Sequence, residues 1–299
     1  KTVWDYIFLT RPILLVPVWA FLLLGYFRAG GDRFQINRGC LLVLVSYSML
    51  MAALYILNQI IDMKSDAINK KHLLLAEGFM PVKNALLFLI LLLIVSAVIS
   101  LRLPALTRFF MAVSLILGIF YSLPPFILKA RPFLDFLVNG IGYGFFNFAM
   151  GWLSLKPYST QTLIYALPYV LAVSAIFVNT TILDIEGDRK CNYLTTGVLL
   201  KDRGAAVLGF VLIASCAGIS YYVRDYVCLI PALAALPLFL AGALKKGPKF
   251  VTLSIRIGGP LLILVTGLLF PYFLALVLLI FIFLRIYYKR RFGIVYPSV

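Results

Sequence analysis

Apolar residues fill long unbroken runs of this chain, and charged residues are confined to the short segments between them. The run "LLVLVSYSMLMAALYIL" at 41–57 is representative, and it carries no charged side chain. A helix needs about 20 such residues to cross a hydrocarbon core of ~30 Å, and runs of this length are far too long for tilted barrel strands. The pattern predicts an all-α polytopic bundle of nine transmembrane helices, over 7–27, 40–61, 84–102, 106–122, 134–154, 162–183, 204–222, 227–244 and 257–285. Very short connections follow the third and seventh helices, as antiparallel neighbours require. The ninth run is interrupted by Gly258, Gly259, Pro260 and Pro271, which predicts a kink or a further break.

Composition agrees with the pattern. Of 299 residues, 63% are apolar and 13% charged, and the mean hydropathy of +1.03 leaves too little polar surface for a water-soluble fold. No cleavable leader, soluble domain or long linker interrupts the runs, so residues 1–299 read as a single transmembrane domain. Cys40, Cys191, Cys216 and Cys228 are scattered without paired spacing and His72 is the sole histidine, which leaves no basis for a zinc or disulfide framework.

Charge then orients the bundle. Nine passes put the N-terminus and the connections after helices two, four, six and eight on one face, which carries sixteen Lys and Arg against seven opposite. By the positive-inside bias that face is cytoplasmic. The basic C-terminal segment "RIYYKRR" is the exception, because nine passes would place it outside. Nine of the eleven acids also lie on the basic face, with only Asp32 and Asp225 opposite. The net charge of +16 suits anionic lipid headgroups or an anionic substrate. Nucleic acid fits poorly, since the bases are dispersed over short membrane loops.

Two acidic stripes mark that face. "NQIIDMKSD" sets Asn58, Asp62 and Asp66 four residues apart where the second helix leaves lipid, and "NTTILDIEGDRK" sets Asp184 and Asp188 four apart at the end of the sixth. Four passes separate them, so parity alone puts both on one side, and their matching placement suggests two four-helix repeats followed by a ninth helix. Residues four apart share a helix face, and like charges so placed repel unless a cation compensates. Oxygen-only ligands select a hard cation. Mg²⁺ typically takes one or two carboxylates and completes its shell with water and substrate phosphates. Lys70, Lys71, Arg189 and Lys190, with Lys129 from the intervening connection, are placed to meet remaining phosphate charge. Glu186 lies off the stripe and reads as solvated, and His72 is the candidate base, although a loop histidine is more often merely solvated. The plainer alternative is that the acids are helix ends reaching water.

The two motifs, together with "YSLPPFILKARPFLDFLVNG" after the fourth helix, resemble the UbiA superfamily of intramembrane prenyltransferases, over nearly the whole chain from "LTRP" at 9–12. The resemblance implies nine helices around a central cavity and Mg²⁺-dependent transfer of an isoprenyl group from a prenyl diphosphate to a lipophilic acceptor. It implies that Asn58, Asp62, Asp66, Asp184 and Asp188 are metal and diphosphate ligands, that Lys129 contacts diphosphate, and that Tyr121 is a polar residue lining the cavity. The acceptors it implies are aromatic acids or quinone precursors, haem, chlorophyllide-type rings or glycerol-phosphate lipids. The chain departs from the family pattern at Gln59, in "KKHLLLAEG", and in "NYLTTG" after the second motif, where no role is assigned.

Two other functions compete. CDP-alcohol phosphotransferases also use intramembrane acids and Mg²⁺, but in one tight cluster rather than on two distant helices. A transporter or lipid-binding bundle predicts ionisable groups along a mid-membrane pathway, whereas nearly all charge here sits at one face. In the fifth helix, "YGFFNF" reads as packing, Gly140, Gly142 and Gly144 as close helix approach, and Asn139 and Asn147 as interhelical hydrogen bonding or a polar lining.

Overall fold

The computed structural model describes residues 2–68, 73–244, 248–294 and 296, and within them the protein is all helical. The N-terminal crossing is a bent pair, α1 (Val3–Leu9) and α2 (Pro12–Arg28), at 53° to one another. The break falls at Thr10–Arg11 because Pro12 disfavours helical geometry in the residue before it, and Arg11 adopts a left-handed φ of 52°. There follow α3 (Arg38–Ile68), α4 (Val82–Ser100) and α5 (Ala105–Ser122), and then a 3₁₀ turn at Leu128–Ala130. The next rod is composite: α6 (Leu134–Asn139), a π-helical stretch (Gly140–Phe146) and α7 (Asn147–Leu153). The chain continues with α8 (Thr160–Leu183), the short α9 (Ile185–Lys190), α10 (Thr196–Tyr222) with a kink at Lys201, and α11 (Tyr226–Leu244). It ends with α12 (Pro248–Leu269) and α13 (Pro271–Phe292).

Among the described residues eight helices are individually long and apolar enough to cross a membrane, and the bent α1–α2 pair makes nine. The composite rod, built from shorter pieces, adds a further traverse. The expected last run at 257–285 is therefore two helices. Pro271 supplies no N–H to continue α12 and instead sits at the first position of α13, so the chain reverses at Phe270 although both flanks are apolar. The reversal returns the C-terminal basic segment to the motif face. Tyr287 donates a hydrogen bond to Asp5 (2.7 Å), and Arg291 pairs with the same carboxylate (3.4 Å). With α13 as an extra crossing, the conflict with the positive-inside bias disappears.

Outward-facing apolar residues confirm the solvent. Leu86, Leu87, Ile90, Leu91, Ile94 and Val98 on α4 are exposed, a stripe that water would not tolerate and lipid requires. Inside, small residues let backbones meet. A Cβ on Gly25 of α2 would collide with the Phe148 carbonyl of α7, and a Cβ on Gly151 of α7 would collide with the Leu22 carbonyl of α2. Gly140 and Gly144 likewise press on α8 at Ser174 and Val170, whereas Gly142 has open space. Asn147 is buried, and its amide has no hydrogen-bond partner among the described residues.

The face opposite the motifs is closed by polar contacts. Arg28 donates to the Val223 carbonyl (3.1 Å) and lies over the Tyr165 ring (4.1 Å), while Tyr169 donates to buried Asp225 (2.8 Å). Asn37 donates to the Ser154 carbonyl (3.1 Å), tying two loops together. Nearby, the Cys216 and Cys228 sulfurs approach to 3.6 Å as free thiols, a proximity across the α10–α11 turn that their spacing did not signal.

Candidate functional site

The first stripe lies on one continuous helix. Because α3 runs unbroken to Ile68, Asn58, Asp62 and Asp66 keep their four-residue register, with Asp66 buried and Asp62 half-buried. Asn58 uses its amide N–H₂ twice, donating to Asp62 Oδ2 (2.8 Å) and to the Ser122 hydroxyl at the end of α5 (3.1 Å). Lys129, on the 3₁₀ turn, brings Nζ within 2.6 Å of both Asp62 oxygens. An ammonium shared by both oxygens of a half-buried carboxylate shows that this position attracts a cation.

The second stripe is bent. α8 stops at Leu183, Asp184 caps it exposed to solvent, and α9 restarts at Ile185, but the Asp188 N–H still bonds the Asp184 carbonyl (2.8 Å). Asp188 Oδ2 accepts from the Thr195 hydroxyl (2.8 Å). Burial pushes the Asp188 pKa up, the Thr195 hydrogen bond opposes the rise, and the negative charges of Asp184 and Asp135 add to it. Three carboxylates thus crowd one end of the bundle.

Tyr193, in the loop after α9, links the two halves electrostatically. Its phenol is pushed above its ordinary pKa by burial first, then by the charges of Asp62, Cys191 and Asp188. Tyr121 accepts a hydrogen bond from Asn139 (3.0 Å), and Asp62 and Asp135 both act on it electrostatically. Deeper in the bundle Tyr143, on the π-helical stretch, donates to the Tyr55 hydroxyl (2.7 Å), which in turn donates to the Leu14 carbonyl (3.0 Å).

The structure therefore brings Asn58, Asp62, Lys129, Asp188 and Tyr121 to one end of the bundle. Arg189 and Lys190 are exposed on α9. Lys70, Lys71 and His72 lie outside the described residues. Sequence reasoning passed over Asp135, Thr195, Thr196, Ser122 and Tyr193. Asp135 was counted only among the nine acids of the motif face, and the threonines fall in the "NYLTTG" segment that departs from the family pattern.

Among the described residues, no three carboxylate, imidazole or thiol side chains approach closely enough to share one cation. Mg²⁺ characteristically takes one or two carboxylates and completes its shell with phosphate and water. The donor set is oxygen throughout and Asp62 already draws an ammonium, so the residues fit a hard divalent cation.

Known proteins share this architecture. Solved structures align over most of the chain: a UbiA homologue from Archaeoglobus fulgidus bound to GPP and Mg²⁺ (TM-score 0.66, 19% identity, 89% of this chain and 99% of that one), and another in a study of digeranylgeranylglyceryl phosphate synthase (TM-score 0.69, 17% identity, 88% and 96%). At such identities the likeness establishes the fold. Curated relatives include a probable chloroplastic homogentisate phytyltransferase 2 from Oryza sativa subsp. japonica, 31% identical over 162 residues that cover 51% of this chain and 42% of that protein. Another is the bacteriochlorophyll synthase 34 kDa chain of Chloroflexus aurantiacus, 27% identical over 183 residues that cover 60% and 59%. The alignments thus span about half the length of the curated relatives. The UbiA prenyltransferase family itself matches residues 18–249, from α2 to the start of α12 and short of α13. This integral, multi-pass membrane protein belongs to the UbiA prenyltransferase family.

Proposed function

We propose that the protein transfers an isoprenyl group from a prenyl diphosphate to a lipophilic acceptor, at the motif end of the bundle, which the positive-inside bias makes cytoplasmic. The observation that carries this reading is the convergence of Lys129 on Asp62, opposite an Asp188 crowded by other carboxylates. Such an end would bind diphosphate with the help of divalent cations held by the acids.

Asn58, Asp62, Asp66, Asp184 and Asp188 would hold Mg²⁺, which when bound supplies positive charge against the diphosphate as its allylic C–O bond breaks. Asn58 fixes the Asp62 carboxylate through its bond to Oδ2 and is itself fixed by Ser122. Lys129, already within reach of Asp62, exchanges that partner for a phosphate oxygen when substrate arrives. Tyr121, held by Asn139, places its phenol within electrostatic reach of Asp62. The surrounding apolar and aromatic helices keep water from capturing the allylic cation before the acceptor does.

A phenolic ring is the acceptor class best supported. The names of curated relatives specify homogentisate and acylphloroglucinol substrates, the latter in Humulus lupulus proteins 28–32% identical to this chain. The test is transfer of label from radiolabelled prenyl diphosphates of several chain lengths to a panel of phenolic acceptors, in membranes, with Mg²⁺ or EDTA and with Asp62→Ala as control. A prenylated product that requires both Mg²⁺ and Asp62 supports the reading. Neither binding nor product at any chain length would remove the diphosphate assignment and leave transport as the alternative.

A further inference from the structure

We propose that Asp135 is a positioning residue that sets the second acidic motif against the first, acting on Asp188 through Thr196 and Thr195. The inference rests on the transferase reading and deepens it.

Asp135 is 3% exposed at the start of α6, and its carboxylate accepts three hydrogen bonds among the described residues. Its Oδ2 accepts the Thr196 N–H (2.6 Å), and its Oδ1 accepts the Thr196 hydroxyl (2.6 Å) and the Phe136 N–H (2.9 Å). Three donors converging on one side chain require an acceptor-only group, which an ionised carboxylate is and an amide is not. The Thr196 hydroxyl also accepts the N–H of Phe133, whose φ of 67° is unfavourable for a side chain of that size. Contacts that hold a residue in such a conformation mark a segment whose placement is over-determined by its surroundings.

The node reaches both halves of the site. On one side, Thr195 precedes Thr196 in the chain, caps the start of α10, and donates to Asp188. On the other, the Asp135 N–H bonds the Arg131 carbonyl (3.0 Å), next to the turn that carries Lys129 to Asp62, and the Asp135 carbonyl accepts from Asn139, the partner of Tyr121. One residue thus holds the second motif through its buried carboxylate, and the lysine turn and the tyrosine's partner through its main chain. Groups that orient metal ligands in this way typically change metal affinity by about 10–100-fold when removed.

The test uses the purified full chain in detergent and measures Mg²⁺-dependent binding of an unreactive thiolo analogue of geranyl diphosphate by calorimetry, alongside the melting temperature without ligand. The variants are Asp135→Asn, Thr195→Val, their combination, and Thr195→Ser. The expected result is that Asp135→Asn and Thr195→Val each weaken Mg²⁺-dependent binding about tenfold. The double variant should be little worse than the weaker single one, because both break the same linkage, and Thr195→Ser, which keeps the hydroxyl, should restore affinity. Lowered melting temperatures with unchanged affinity, or losses that simply multiply, would overturn the inference. Should Asp135→Asn fail to fold, an unchanged affinity in Thr195→Val overturns it alone. If the wild-type protein shows no Mg²⁺-dependent binding, the transferase reading itself fails, which separates the two failures.

Discussion

Lys129 and Asp62 stand 67 positions apart in sequence, yet the lysine ammonium lies 2.6 Å from both oxygens of the aspartate carboxylate. Before substrate binds, the pair neutralises a half-buried negative charge. Replacing Lys129 by Ala removes that partner and, in the proposed reaction, a phosphate contact. A hydrogen bond to a charged group contributes about 1.5–3 kcal/mol, so kcat/KM should fall about 10- to 100-fold. Lys129→Arg should recover only part of the loss, since a planar fork replaces a compact ammonium. Steady-state kinetics with varied prenyl diphosphate checks this, and a wild-type value for Lys129→Ala would refute it.

Asp188 makes stability pH-dependent in a direction opposite to that of most carboxylates. Burial and neighbouring acids raise its folded-state pKa, so the native protein holds this proton more tightly than the unfolded chain does. The stabilisation by the proton is complete below the ordinary aspartate pKa and is lost as pH rises through the raised one. Without metal, the Asp188 contribution should therefore raise the melting temperature as pH falls through that window, and Mg²⁺ should flatten the dependence by stabilising the ionised form. Thr195→Val deletes the opposing hydrogen bond and should move the window to higher pH. Melting curves at a series of pH values, with Mg²⁺ or EDTA, read both effects.

How much of this was legible in the sequence depends on the range of the cause. The first stripe was legible because one helix carries it, and α3 keeps the register that a spacing of four implies. The membrane class followed from apolar runs alone. The Pro271 reversal was only half legible: hydropathy does not change across it, so the sequence left a kink and a further break equally open. Asp135 was illegible for a different reason: its partner, Thr196, is 61 residues away, and nothing local separates a buried node from a solvated acid at a helix start. The π-helical stretch likewise left no sign beyond three glycines with a packing explanation, and Gly142 does not share it.

α13 braces the motif face from outside the family-matched segment. Besides the Asp5 contacts, Phe8 stacks on Tyr287 (3.8 Å between ring centroids) and Arg291 lies over Phe79 (4.5 Å), in the connection between α3 and α4. Tyr287→Phe deletes a donor to a buried carboxylate. It should cost about 1.5–3 kcal/mol and lower the melting temperature by about 5 °C. Thermal unfolding in detergent measures it, and no shift would mean that Arg291 and the Thr2 N–H hold Asp5 sufficiently.

The reciprocal glycines of α2 and α7 predict a sharp contrast. Overpacking a core costs about 1–3 kcal/mol, and a collision with backbone on both sides lies at or above the top of that range. Gly151→Val should abolish recovery of folded protein, whereas Gly142→Ala, with nothing nearby, should be recovered like wild type. Monodispersity by size-exclusion chromatography distinguishes them, and equal recovery would show that the α2–α7 spacing is adjustable.

The contacts among Arg28, Tyr165, Tyr169 and Asp225 bear on how the two products of the proposed reaction part company. They tie the far end of the bundle together, while the acids gather at the other end. Released diphosphate, an anion, must back out by the route it entered. The prenylated product, whose chain has lost its diphosphate, partitions instead into the bilayer between the helices. The sorting needs no gate, because solubility alone assigns each product its door.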